Sequence, residues 1–138
     1  MLIFLLVVTF SRGVLEWDHI SSGIKASNVA AGSTHDSLWA ITNEYFPIDN
    51  GFSIAKYDFA LKQWVTDDSQ PVGAASDWRR NYLAVDHQGN PAFRDLSGKI
   101  HWKKDGRWKE LKGCGFGLAF LGRRTLMKRH CNGFVYKY

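Results

Sequence analysis

The sequence predicts an all-β fold of repeated four-stranded antiparallel units, on three observations. Trp-led segments recur, with Trp17, Trp64 and Trp108 spaced 47 and 44 residues apart. No apolar periodicity of about 3.6 residues is sustained, so little helix is expected. Turn signals recur at intervals of roughly 8–12 residues, as in all-β repeat folds. Four short strands in about 40–45 residues is the arithmetic of a β-propeller blade. About three blades are therefore expected, near residues 17–63, 64–107 and 108–138, within a repeat region spanning 14–138.

Twelve core strands are expected in order. Val14–Ile20 surrounds the first Trp. Asn28–Ala31, Leu38–Thr42, Phe52–Asp58 and Gln63–Thr66 make the first full set. Residues 43–51 between its second and third strands, with Pro47 and Asp49-Asn-Gly51, read as a hairpin loop. Tyr82–Asp86, Pro91–Arg94, Lys99–Lys103 and Trp108–Leu111 form the second set. Asp86-His-Gln-Gly-Asn90, Asp95-Leu-Ser-Gly98 and Lys104-Asp-Gly106 are its turns. Pro91 opens a strand, where a missing N–H costs least. Leu118–Leu121, Thr125–His130 and Phe134–Tyr138 end the chain one strand short of a third set.

The strand around Trp17 has the character of a fourth, outer strand. In a closed propeller it would complete the last blade and remove a sheet edge. Three blades do not close into the usual ring of about 4–8. Three arrangements follow: half of a six-bladed ring closed by a second copy, a fragment of a longer chain, or an open stack capped by a protein partner.

Residues 1–13 hold the apolar run Leu2–Phe10. It reads as an N-terminal strand or a leader. No basic residue precedes it, and Ser11-Arg12-Gly13 makes a poor cleavage site. Nine residues are too few to span a bilayer, so no transmembrane segment is expected. No Asn-x-Ser/Thr sequon occurs. An intracellular location is favoured, and secretion would follow if residues 1–13 were a signal peptide.

The repeated residues resemble the tectonin (tachylectin-1-like) β-propeller repeat. In that family a Trp followed by a small or apolar residue and a Gly precedes a short strand, an aromatic-apolar strand and a Gly-x-Ile/Val-Tyr strand. Trp108-Lys-Glu-Leu-Lys-Gly113-Cys114 fits best, and Leu38-Trp-Ala-Ile41, residues 85–91 and Val135-Tyr-Lys-Tyr138 also fit. The resemblance covers about residues 14–138. The Gly after Trp64 comes late, at Gly73, and residues 123–130 are more basic than the family's second strand. The third repeat has 27 residues from Trp to Val, against 37 and 36 from Trp to Ile in the others. The resemblance implies a non-catalytic scaffold whose relatives bind surface glycans, lipopolysaccharide or protein partners. The expected function is a protein-interaction or structural subunit of a larger assembly. The alternative is a secreted or surface lectin for anionic or acetylated glycans.

At 138 residues with 45% hydrophobic content, the chain can bury one core. Its charge is split: residues 1–98 carry 7 basic and 11 acidic side chains, and residues 99–138 carry 11 and 2. The basic third reads either as solvated strand positions or as a face for an anionic partner. Arg123, Arg124, Lys128 and Arg129 are its densest group. On a strand Arg124 and Lys128 share one face, and Arg123 and Arg129 the other. That division, without interleaved aromatics, argues against nucleic acid. Trp78, Arg79 and Arg80 lie outside the repeated Trp position. They form either a packed loop or an exposed anchor for a sugar or a partner.

No catalytic constellation stands out, and no cofactor or metal is expected. The five histidines show no ligand spacing and read as surface or turn residues. Asp67-Asp68 reads as a solvated turn, because neighbours in a strand point apart. Gly117–Thr125 has phosphate-loop spacing, but Arg123 stands in place of the required Lys, and no helix pattern follows. Cys114 and Cys131, 17 residues apart, read as reduced thiols, with pairing an option in a secreted protein.

Overall fold

The computed structural model describes Ile20 and residues 24–138. The expected leader (1–13) and all of the expected strand Val14–Ile20 except Ile20 lie outside the described residues. The described residues form eleven strands and no helix: β1 (Ala26–Ala31), β2 (Leu38–Tyr45), β3 (Phe52–Asp58), β4 (Gln63–Thr66), β5 (Leu83–Val85), β6 (Pro91–Arg94), β7 (Ile100–Lys104), β8 (Arg107–Leu111), β9 (Gly115–Leu121), β10 (Thr125–His130) and β11 (Val135–Lys137). They make three antiparallel sheets in chain order: β1-β2-β3-β4, β5-β6-β7-β8 and β9-β10-β11. No helix among the described residues is long and apolar enough to cross a membrane.

The turns set this order. Asp86 Oδ1 accepts the N–H groups of Gln88 and Asn90, and Asp95 Oδ1 accepts those of Ser97 and Lys99. Such Asx turns reverse the chain over a few residues. Each ends on a glycine that takes the left-handed region, Gly89 at φ 85° and Gly98 at φ 92°.

The sheets repeat one register. The third strand pairs with the second through Ile54–Ile41, Ile100–Arg94 and Val135–Arg129. Where a fourth strand is present, its Trp pairs with the residue three places after that Ile. Trp64 thus pairs with Tyr57 and Trp108 with Lys103. Among the described residues β11 pairs only with β10, so the third sheet has three strands.

β5 packs against both β1 and β9, which stacks the three sheets side by side. Trp39, Ile41, Ile54, Leu83 and Phe93 fill the core between the first two sheets. Ile100, Trp102, Leu111, Leu118 and Leu126 fill the core between the second and third. Full burial of such side chains contributes roughly 1.5–3 kcal/mol each.

Four features differ from expectation. β2 runs on to Tyr45, past an irregularity in its pairing, and Tyr45 stacks on Phe52 at 5.1 Å. β9 begins at Gly115 rather than Leu118. β9 still ends at Leu121 and β10 begins at Thr125, so Arg123 and Arg124 occupy the turn between them, and the face-sharing on a strand with Arg129 and Lys128 does not apply to them. Cys114 and Cys131 are disulfide-bonded, with Cα atoms 5.6 Å apart, and are not reduced thiols. The β9–β10 register causes this: Gly115 pairs with His130, which brings the flanking cysteines together.

The connection between β4 and β5 is also tied down. Gln70 is buried, and its Oε1 accepts the Ile54 N–H while its Nε2 donates to the carbonyls of Phe52 and Val72. Ala74 makes bridges to Phe52 and to Asp95, joining the first sheet to the second.

Candidate functional site

Two grooves lie at the sheet boundaries. The first, of about 690 Å³, runs between the first and second sheets. Trp39 and Tyr57 form its base, and the Trp39 indole N–H donates to the Gly89 carbonyl at 2.9 Å. Asp36, Asp58 and Asp67 face it together with Lys56 and Lys103. The Lys103 ammonium donates to Asp67 at 2.9 Å and so bridges the sheets. Burial opposes ionisation of Asp67, but hydrogen bonds from the Ser69 hydroxyl and Lys103 outweigh it and hold the carboxyl below its ordinary value. The Asp36 carboxyl is also lowered, chiefly by its hydrogen bond with Thr34. The groove therefore presents fixed charges of both signs beside aromatic surface.

Asp67 was expected in a solvated turn. Its side chain is only 8% exposed and is paired with Lys103. The sheets pack so that the end of β4 meets β7, a contact over 36 residues that spacing along the chain does not encode.

The second groove, of about 420 Å³, lies between the second and third sheets. Leu111 and Leu126 give it an apolar floor, and Lys112, Lys128 and Lys137 surround it, with Glu110 as its acidic lining residue. Lys128 donates to the Lys112 carbonyl at 3.0 Å.

The seven basic and aromatic residues expected to bind a ligand or partner are dispersed. Trp78 is 79% exposed at a turn, and the Arg79 guanidinium lies 5.8 Å from its ring centroid. Arg79 and Arg80 both pair with Asp77, at 3.3 and 3.4 Å. Arg80 then turns away from Trp78 and lies 5.0 Å from the centroid of Phe116. Arg129 approaches the same ring at 5.9 Å. Arg94, which the sequence did not single out, lies 5.2 Å from it. Three guanidiniums thus meet at one aromatic ring. Arg123 and Arg124 sit at the far turn of the hairpin, where the Arg123 carbonyl lies 2.6 Å from His87 Nδ1. Lys128 lines the second groove. Of the seven, Arg80 and Arg129 meet at Phe116, Arg79 lies at Trp78, and Arg79 and Arg80 share Asp77, whereas Arg123, Arg124 and Lys128 stand apart.

Among the described histidines one is corrected, and His19 lies outside the described residues. His101 is buried rather than on the surface, because β7 turns it inward against Phe93, and its Nε2 lies 2.7 Å from Asp95 Oδ2. Burial opposes the Asp95 charge, but hydrogen bonds from His101, Ser97 and the Lys99 N–H lower its pKa overall. This pair lines neither groove. Among the described residues no three His, Cys, Asp or Glu side chains are grouped to hold a metal ion.

The residues that shape the first groove left partial signals in the sequence. Trp39 belongs to the Leu38-Trp-Ala-Ile41 segment, whereas Lys56 and Lys103 were placed only as residues of the expected strands Phe52–Asp58 and Lys99–Lys103. No protein-family model matches the chain, and no curated protein matches it significantly.

Proposed function

We propose that this chain is a non-catalytic, propeller-type module that serves as a protein-interaction or structural subunit of a larger assembly. The observation that carries the proposal is the edge of the third sheet. Among the described residues β11 has no second neighbour, and Phe134, Val135, Tyr136 and Tyr138 around it are all exposed. An apolar, unpaired strand edge is a template for association, and folded proteins cover such edges. The side-by-side meanders with one shared register support a propeller arrangement, as does the resemblance to tectonin repeats.

Light scattering coupled to size-exclusion chromatography, with intact mass spectrometry of the same peak, tests the proposal. Association or aggregation of the 15.7 kDa chain when purified alone is the expected result. A folded monomer that stays soluble at all concentrations would overturn it.

The first groove favours a second reading, a lectin for anionic or acetylated glycans. Its Trp39 and Tyr57 base, with Lys56 and Lys103 above, suits a ring-shaped polar ligand. The Cys114–Cys131 disulfide fits an oxidising compartment. A glycan array with the wild-type chain and Lys56→Glu decides it. Binding that the variant loses supports the lectin, and no binding by the folded wild-type chain rejects it.

A further inference from the structure

We propose that the Trp17 strand of a second copy of this chain docks on β11, placing Trp17 in the groove between the second and third sheets, and that two copies exchange these strands reciprocally. The proposal rests on reading the chain as part of a larger assembly and names the partner and the contact.

The second sheet shows what the third sheet's groove accommodates. Trp108, on β8, packs edge-on against Phe93 at 5.3 Å and donates its indole N–H to Ser69, beyond the end of the first sheet. Lys103 lies 5.8 Å from its ring centroid. The repeated register maps these surroundings onto the third sheet. Phe93 corresponds to Lys128, since they pair with Leu83 and Leu118 at matching places. Lys103 corresponds to Tyr138, three residues after Ile100 and Val135 respectively. Lys112 follows Trp108 by the interval at which Asp68 follows Trp64. Lys112, Lys128 and Tyr138 all line the second groove. The groove is thus the third-sheet counterpart of the space that Trp108 occupies, and Lys128 stands where it can lie against an indole face.

The same register fixes the pairs a fourth strand would make. The Trp pairs with the third residue after Ile54 and after Ile100. After Val135 that residue is Tyr138, so Trp17 falls opposite Tyr138, Asp18 opposite Lys137 and Ile20 opposite Val135. Opposite charges and apolar pairs at directly facing positions stabilise a sheet. Charge agrees over the wider surface. Glu16 and Asp18 flank Trp17, whereas Lys112, Lys128 and Lys137 surround the groove. The polarity is reversed at the existing boundary, where Arg107 and Lys109 flank Trp108 and Asp67, held by Lys103, lies beside the Ser69 that accepts the Trp108 indole N–H.

Linker length identifies the second copy as the donor. Seven residues after Trp108 the chain enters β9, the inner strand of the next sheet, and nine residues after Trp17 it enters β1. By that match a strand built on Trp17 would belong beside β1, as the outer strand of a sheet preceding the first. Among the described residues the sheet without an outer strand is the third, and β5 stands between β1 and β9. A second copy brings its own third sheet to the side of β1. Reciprocal exchange then gives every sheet four strands under two-fold symmetry.

Asp18→Cys and Lys137→Cys, made on separate chains, mixed and oxidised, test the docking. The expected product is a covalent pair of one D18C and one K137C chain. Light scattering should show D18K or K137E raising the dimer dissociation constant roughly tenfold, with D18K/K137E on one chain restoring it. Cross-linking within a single D18C/K137C chain, without cross-linking in the mixture, overturns the exchange. An assembly indifferent to all these variants overturns the docking alone. A wild-type chain that is monomeric at every concentration overturns the assembly reading and the docking with it.

Discussion

Trp108 on the second sheet donates its indole N–H to Ser69 beyond the first, at 3.0 Å. The ring therefore performs two separable tasks, burying apolar area against Phe93 and tying two sheets that no backbone ladder joins at this point. Trp108→Phe keeps the packing and removes the donor, and should cost about 1 kcal/mol. Trp108→Ala removes both and should cost about 3 kcal/mol. Urea denaturation measures the two. Equal losses would mean that the hydrogen bond, and not the packing, joins the sheets.

The boundaries of β3, β4, β6 and β10 were legible in the sequence residue by residue. Each is bracketed by turn residues whose side chains or φ angles stop the strand, such as Asp58, whose carboxylate accepts the N–H groups of Ala60 and Leu61. What depends on contacts between sheets was not legible. The Asp67–Lys103 pair, the inward turn of His101 and the role of Gln70 as a backbone substitute arise from sheet packing, which strand periodicity does not specify. The division of the basic group, by contrast, follows strand alternation and was legible. Arg129 and Lys128 are adjacent in β10, so they point to opposite faces, one toward Phe116 and one toward the second groove.

Acid stability should depend on Asp95. Its folded pKa lies below the ordinary value despite burial, because His101, Ser97 and the Lys99 N–H favour the carboxylate. The unfolded chain therefore takes up a proton at higher pH than the folded one. The stability this supplies is present above the unfolded value of about 4 and is lost as pH falls through the lowered folded value. Asp95→Asn keeps an acceptor for the turn but has no charge to titrate. Urea midpoints from neutral pH downward should show D95N less stable at neutral pH, with a flatter decline below about pH 4. An unchanged slope would show that other carboxylates, Asp67 foremost, govern the acid limb.

A close backbone approach makes Gly51 irreplaceable. A Cβ built there would lie 2.6 Å from the Gly73 Cα, where the loop leading into β3 meets the β4–β5 connection. The neighbour is backbone and has no rotamer by which to withdraw. Gly51→Ala should therefore cost about 1–3 kcal/mol. Gly117 on β9 is the control, since a Cβ there meets nothing within 4 Å. Gly117→Ala should be neutral or stabilise by up to about 1 kcal/mol. Thermal melts of the two variants check the contrast, and similar melting temperatures would show that the two loops separate easily.

The third sheet is the one whose stability should respond to redox state. Cys114 and Cys131 close a loop that contains β9 and β10, at a sequence separation of 17. A cross-link of that span restricts the unfolded chain by about 3 kcal/mol. Cys114→Ser with Cys131→Ser should remove that amount, and the loss should fall mainly on β9 to β11, which form a sheet of their own. β5 to β8 retain their ladders and the core built on Ile100 and Trp102. Hydrogen exchange by mass spectrometry, with and without the bond, resolves the two regions. Faster exchange confined to residues 115–137 is the expected pattern. Equal acceleration in all three sheets would mean that they unfold as one cooperative unit, with β5 carrying the loss across to β1.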